Sequence, residues 1–547
     1  MFSGSTRRFL VRALLFYALL TAVMTYPQVL HLRDGVHDDG DPLLNAWALA
    51  WVAHALPIAP AHIFDANIFY PERRTLAYSE TLLAPAAAAA PLRWIGLGPI
   101  LVYNIVFLSG FVLSGVGTAL LVRRLTGRPA AGIVAGIVFA FLPYRIDHYA
   151  HLQLQQTQCL PFALWSFHRL IDSGRLRDGV LFGALTAGQV LSCMYYGLFL
   201  VPYFAVVCGT MIVARWRTGG ARAVRALAIA ALMTATVAMP VGKAYLGARE
   251  VVGERPADAV ALGSATLRNY LGAPERNALF GTALARFATD ERRLFPGFVA
   301  MILALVGLVR ARGGAPQLAY ALGLLIAVDL SLGFNGFLYR TLYDHLLPFR
   351  GLRIPARMGI MTGFSLAVLA GYGAAWIGGR MRTPRAASTA VTAVAVLMLA
   401  EYTSRPIELT IVPTSPLPVY ADMLRDVGDA PAAVVGEFPP LDAADPTYMY
   451  YSTFHWQHLI NGYSGFSPPW YRDYRSAMST LPHDEAFNML KSHDARYLIV
   501  HGERLRGGRY AELVEGLDRR TDVKLVSRGP AAREGQHGEA SLYRILY

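Results

Sequence analysis

The chain reads as a polytopic α-helical membrane protein with a C-terminal extracytoplasmic α/β domain, and three observations predict this. Apolar runs of bilayer-spanning length recur through residues 1–402. The basic residues between those runs gather in alternate loops. From residue 403 to 547 the pattern changes to short apolar runs, such as Ala432–Phe438 and Tyr497–His501, alternating with charged stretches such as Leu505–Arg520.

The candidate spans, about eleven by hydropathy, cover 8–29, 99–122, 130–144, 157–171, 179–195, 197–214, 225–242, 294–310, 316–333, 355–378 and 386–402. Composition supports them: of 547 residues, 54% are hydrophobic and 16% charged, with mean hydropathy +0.36, too apolar for a soluble chain of this length. With a cytoplasmic N-terminus, every inside segment is basic. Arg7, Arg8 and Arg12 come first, then Arg123, Arg124 and Arg128, then Arg169, Arg175 and Arg177. Arg215, Arg217, Arg222 and Arg225 follow, then Arg310 and Arg312, then Arg380, Arg382 and Arg385. Positive-inside bias therefore predicts an inner-membrane protein whose first loop, 30–98, and C-terminal domain face outward. It also accounts for the net charge of +13 without nucleic acid as a partner.

The first run follows Arg7 and Arg8 as a secretory signal would, but it is long and passes into Tyr26-Pro27-Gln28 with no small-residue cleavage pattern. A permanent helix is expected. Thr81–Ile95 is apolar but interrupted by Pro85 and Pro91, which predicts a re-entrant or interfacial segment. Leu43–Leu56, with Trp47, Trp51, Asn45 and His54, is expected to lie along the outer surface. Pro406, Pro413, Pro416 and Pro418 make a stiff connection into the last domain. Cys159, Cys193 and Cys208 fall in or beside spans and suggest neither disulfides nor a metal site.

The candidate chemistry starts where the first span ends, at Arg33-Asp-Gly-Val-His-Asp-Asp-Gly-Asp41-Pro-Leu-Leu-Asn-Ala-Trp47. Asp41 followed by Pro42 has the pattern of an N-cap with proline at the first helical position, so capping alone would explain it. Capping does not explain Asp34, Asp38 and Asp39 crowded beside it, although the acidity of a solvated loop would. A carboxylate fixed at a helix start suits a general base, which must meet the acceptor hydroxyl at hydrogen-bond distance.

The string Gly40-Asp-Pro-Leu-Leu-Asn-Ala-Trp-Ala-Leu-Ala-Trp51, with Asp65-Ala-Asn-Ile-Phe-Tyr-Pro71 and Leu76-Ala-Tyr-Ser-Glu80, is similar to bacterial membrane proteins grouped with the GT-C superfamily of integral membrane glycosyltransferases. The resemblance covers nearly the whole chain. It implies that Asp41 is the catalytic base, taking the acceptor's proton as the acceptor attacks a sugar carried on polyprenyl phosphate. Glu80 becomes the second carboxylate, pairing with Asp41 or binding acceptor, with a solvated interfacial glutamate as the rival reading. Asp38 and Asp39 are placed with the substrate. The chain lacks the Trp-Trp-Asp-Tyr-Gly signature of oligosaccharyltransferases. That leaves metal dependence open, with Mg or Mn as the candidate divalent cofactor.

Three further groups are candidates for binding substrate. In Pro143-Tyr-Arg145-Ile-Asp-His148-Tyr-Ala-His151, the histidines would share a helical face near Arg145 and offer donors to phosphate or sugar; zinc and interfacial packing are the rival readings. Arg350, Arg353 and Arg357 lie at the outer end of a span, against the positive-inside trend. Arg353 and Arg357, four apart, would clamp the lipid phosphate from one helix face, or snorkel to headgroups. In the last domain, His455, Trp456, Asn461 and Tyr463 sit in a segment dense in aromatics and amides, suited either to sugar recognition or to docking on the membrane part.

These readings predict transfer of a monosaccharide from a polyprenyl-phosphate donor to a glycan, lipid or protein acceptor of the cell envelope. No nucleotide fingerprint is evident, and a lipid donor needs none. A lipid-linked glycan flippase or a non-catalytic glycan-binding protein are the alternatives. A transporter favours charges at mid-bilayer depth, whereas here they gather at the faces, apart from Asp329 near the outer end of a span.

Overall fold

The structure, a computed structural model, describes residues 4–217, 221–289, 291–531 and 538–547. Every apolar run forms a helix: Gly4–Met24, Pro99–Thr126, Pro129–Ala140, Cys159–Ser173, Leu176–Ser192, Met194–Ala214, Ala221–Val252, Phe298–Arg310, Gly314–Ser331, Gly359–Arg380 and Pro384–Tyr402. Among the described residues, 6 helices are long and apolar enough to cross a membrane. Cys159–Ser173, Leu176–Ser192 and Phe298–Arg310, with 15, 17 and 13 residues, are shorter than a full span.

The chain forms two compact units. The first comprises Met1–Val29, Val106–Pro240 and Glu254–Ile407. Within it, Phe298–Arg310 packs along Gly359–Arg380 so closely that a Cβ on Gly307 would meet the Leu369 carbonyl at 2.1 Å, and one on Gly373 the Leu303 carbonyl at 2.1 Å. Paired glycines permit this backbone approach, as small residues do between membrane helices.

The second unit comprises Leu30–Ile105, Val241–Gly253 and Glu408–Tyr547, so the first loop and the C-terminal segment share one unit. Its strands are β1 (Gly35–Val36), β2 (Thr410–Ile411), β3 (Val434–Phe438), β4 (His458–Leu459), β5 (Ala495–His501), β6 (Val523–Pro530) and β7 (Glu539–Ile545). β1 pairs antiparallel with β2 and ties the acidic loop to the connection that follows the helix Pro384–Tyr402. The other five make one sheet in the order β4-β3-β5-β7-β6, with β4, β3 and β5 parallel and β7 antiparallel to both β5 and β6. β3 is buried along its whole length, in keeping with its near-continuous apolar sequence.

Two expectations about the first loop change. The segment carrying Trp47 is a helix, Asp41–Ile58, but it does not lie along a surface. Pro42 to Ala50 are all buried, and it packs against Leu83–Trp94 and Asp445–Ser452. Alanine, leucine and tryptophan on all sides make it a core helix rather than an amphipathic one. Leu83–Trp94, expected as an interrupted segment, is a continuous helix with Pro91 inside it. Pro85 lies in its first turn, where a missing N–H costs nothing.

Candidate active site

In the second unit, the core helix Asp41–Ile58 fixes the first carboxylate. Its N-cap is Gly40 rather than Asp41, and Gly40 N–H donates to Asp38 Oδ1 at 2.9 Å. Asp38 thus takes the turn-stabilising role that the sequence suggests for Asp41. The Asp41 side chain instead receives the Tyr463 hydroxyl at 2.9 Å. Burial, followed by the charge of Asp41, pushes the Tyr463 phenol well above its ordinary value, so it stays a donor. Burial also raises Asp38, reinforced by the charges of Asp41 and Asp39 and opposed by the Gly40 N–H and His37.

The loop bearing Tyr463 is held from several sides. Residues 67–70 run beside the segment 457–461: Leu459 N–H donates to Asn67 O at 2.8 Å, Tyr70 N–H to Leu459 O at 2.9 Å and Phe69 N–H to Asn461 O at 3.2 Å. Asn67 also links Trp47 Nε1, at 3.1 Å, to Gln457 O, at 2.9 Å. Asn461, fully buried, receives Glu437 N–H at 2.7 Å and donates to Glu437 O at 3.0 Å and to Asp445 Oδ1 at 3.0 Å. Tyr471 donates to the other Asp445 oxygen at 2.6 Å, yet burial still raises this carboxyl to about 7.

Glu80 is half-buried just after the turn Thr75–Tyr78, where Phe466 N–H donates to Tyr78 O at 3.1 Å and Tyr245 Oη to Ser79 O at 2.7 Å. Both candidate carboxylates therefore ride on segments bonded to residues 463–466.

The aromatic group of the last domain divides. His455 is buried and stacks on Tyr420 at 5.1 Å, with burial pushing it down to about 3. Trp456 stacks on His54 at 4.2 Å. Asn461 is internal, as above. These three hold the unit together, and only Tyr463 reaches the carboxylate. The expected sugar platform is corrected accordingly: the rings of His455 and Trp456 face Tyr420 and His54, and the Asn461 amide is taken up by Glu437 and Asp445.

A second cluster lies wholly in the first unit. Glu291 accepts Arg357 Nε at 3.1 Å and Nη2 at 2.6 Å, and meets His148 Nε2 at 3.0 Å and His151 Nε2 at 3.8 Å. Burial pushes Glu291 up, but the Arg357 guanidinium and His148 outweigh it and hold the carboxyl well below its usual range. Arg357 lies over the Tyr195 ring at 4.9 Å, and Tyr195 Oη accepts Arg353 N–H at 2.8 Å. Arg255 is lowered by burial and then by the charges of Arg353 and Arg357.

Two expectations fail at this cluster. The two histidines do meet, their rings 5.8 Å apart, but they flank short helices rather than share one. Arg145 is fully buried and turned elsewhere, bonding Gln155 through Nε at 3.1 Å and Nη2 at 2.8 Å under the Phe111 ring. It is a structural residue, shut away from any substrate. Arg353 and Arg357 do not share a helix face either: Arg353 is exposed ahead of the turn Pro355–Met358, whereas Arg357 is buried within it. Pro355 breaks the four-residue periodicity on which that pairing depended.

Sequence reading missed Glu291, Arg255, Tyr195, Asn67, Glu437 and Asp445. Glu291 stands in the run Glu291-Arg-Arg before an apolar stretch, but its partners are 143 and 66 residues away. Among the described residues, no group of three or more His, Cys, Asp or Glu is placed to hold a metal ion. The Asp38, Asp39 and Asp41 carboxylates do not fit one as they stand.

The apolar helices make this a multi-pass membrane protein, with an α/β sheet in its second unit. Among solved structures, the chain is similar to arabinofuranosyltransferase AftD from Mycobacteria, with a TM-score of 0.62 and 13% identity over 99% of this chain. It spans 42% of AftD's length. The archaeal oligosaccharyltransferase AglB from Archaeoglobus fulgidus, solved with an inhibitory peptide and a dolichol-phosphate, matches with a TM-score of 0.52 and 13% identity, over 94% of this chain and 72% of AglB. ArnT from Cupriavidus metallidurans, in the apo state, gives a TM-score of 0.50 and 11% identity over 98% of both chains. No protein-family model and no curated protein matches the chain. At these identities the likeness is one of fold.

Proposed function

We propose that this protein is a GT-C glycosyltransferase that moves a monosaccharide from a polyprenyl-phosphate donor to a cell-envelope acceptor on the outer face of the inner membrane. The observation that carries the proposal is Asp41: a carboxylate at the first turn of a buried helix, oriented by the Tyr463 hydroxyl, within a GT-C fold. In this reading Asp41 takes the proton of the acceptor hydroxyl as its oxygen bonds to the anomeric carbon. The bond from that carbon to the phosphate oxygen breaks, and the electron pair leaves with the lipid phosphate. Asp38 holds the helix start, and Asp39 and Glu80 lie on the same loop to receive acceptor hydroxyls. Within the first unit, Arg353, Arg357 and Arg255, with His148 and His151, offer donors suited to a phosphate, and Glu291 positions Arg357.

The test is transfer of label from a panel of radiolabelled polyprenyl-phosphate sugars to a membrane lipid extract by the purified protein. Asp41→Asn should reduce transfer by about 100-fold or more with unchanged melting. Full activity in that variant would overturn the assignment of the base. Donor-independent movement of lipid-linked glycan across liposomes, without transfer, would select the flippase instead.

A further inference from the structure

Beyond these residues, the first unit opens a cavity of about 690 Å³ lined by Glu275, Thr282, Arg286, Thr289, Arg293 and Arg405. Its charges are unequal. Arg293 pairs with Glu275 at 2.5 Å and with Asp147 at 3.2 Å, so one guanidinium is shared by two carboxylates. Arg286 and Arg405 are exposed, and among the described residues no carboxylate pairs with either. Arg286 lies over the Phe287 ring at 5.1 Å, and Arg268 over the same ring at 5.2 Å. Arg405 is held through its backbone, whose N–H donates to Arg276 O at 2.8 Å, and its side chain remains available. Two threonine hydroxyls complete a wall rich in donors.

An open cavity with two uncompensated guanidiniums is matched by an oxyanion, because each planar fork offers paired N–H groups to phosphate or carboxylate. A neutral sugar would leave both charges uncompensated. We propose that this cavity is an anion site and that it takes a phosphate or carboxylate group carried by the acceptor, which makes the acceptor an anionic glycan or lipid. Naming the acceptor in this way rests on the glycosyltransferase reading above; the anion site itself does not.

The experiment uses the full-length protein in nanodiscs of zwitterionic lipid, titrated calorimetrically with inorganic pyrophosphate. Wild-type protein and Asp41→Asn should bind alike, which separates this site from the transfer chemistry. The double variant Arg286→Gln/Arg405→Gln should bind at least about tenfold more weakly, with unchanged melting because both side chains are exposed. Arg340→Gln, which removes an exposed arginine on another helix, should bind as wild type. Equal affinity in the double variant, or equal loss with Arg340→Gln, would overturn the site. Competition by anionic phospholipid in the nanodisc, absent in the double variant, assigns the ligand to a lipid headgroup. Its absence, with transfer to a phosphate- or carboxylate-bearing oligosaccharide lowered in the double variant, assigns the ligand to the glycan. Transfer to anionic and neutral acceptors with equal loss in the double variant would overturn the acceptor assignment while leaving the anion site standing.

Discussion

Tyr463 and Asp41 are joined by one hydrogen bond across 422 positions of sequence, and that bond is open to a simple test. Tyr463→Phe removes the donor and leaves the ring. On the proposed mechanism, transfer should fall by about tenfold, less than in Asp41→Asn, because the proposed base loses its orientation but stays in place. At the second cluster, Glu291→Gln leaves the buried Arg357 guanidinium without its carboxylate. Breaking such a pair costs about 3–5 kcal/mol, which a lowered melting temperature will report. Asp445 gives a pH signature. Folded, it keeps its proton up to about 7; unfolded, it loses it near pH 4. Its contribution to stability is therefore complete below about pH 4 and is lost as pH rises towards 7. Asp445→Asn should gain on wild type between those values, measured as the difference in denaturation midpoint at each pH.

Between residues and fold stand the segments that carry them. Tyr463 sits on a loop fixed by Asn461, Gly462 and the strand-like run 67–70. A Cβ on Gly462 would lie 2.7 Å from the Phe69 ring, and that ring is fully buried against Tyr471 and Tyr78. Gly462→Ala should therefore displace the loop. Transfer should drop as in Tyr463→Phe, and amide exchange at 459–463 should quicken. Retention of both would mean that the ring yields. The helix starting at Asp41 was legible as a helix from Asp-Pro, because proline suits the first turn of a helix better than its interior. Its burial was not legible. The same apolar sequence serves a bilayer surface or a protein core, and only the packing of Leu83–Trp94 and Asp445–Ser452 upon it selects the core.

For the molecule as a whole, the alternation of basic loops makes one claim about sidedness. Lys524→Cys in the last domain and Ser173→Cys in a basic loop are both exposed, and the native cysteines are not. A membrane-impermeant maleimide applied to intact cells should label the first and not the second; the reverse pattern would invert the topology. The helices themselves were readable because an apolar run of bilayer length has one stable form in lipid, with every backbone group bonded within the segment. Carboxylates at the end of the first run could be singled out for the same reason: charge at a membrane face stands out against an apolar background. Short-range rules reached no further. They assigned Asp41 the cap that Gly40 and Asp38 form, put Arg353 and Arg357 on a helix face that Pro355 breaks, and counted Arg145 among the ligands although it is buried against Gln155. They could not find Glu291, because its meaning lies in Arg357 and His148, distant in sequence. By itself the sequence determined the membrane class, the positions of the helices and the acidic loop, since these follow from hydropathy and local backbone chemistry. The tertiary structure decided which carboxylate meets a tyrosine, which arginines are spent on internal pairs and which face an open cavity. Those choices depend on contacts between residues tens to hundreds of positions apart, and no local pattern encodes them.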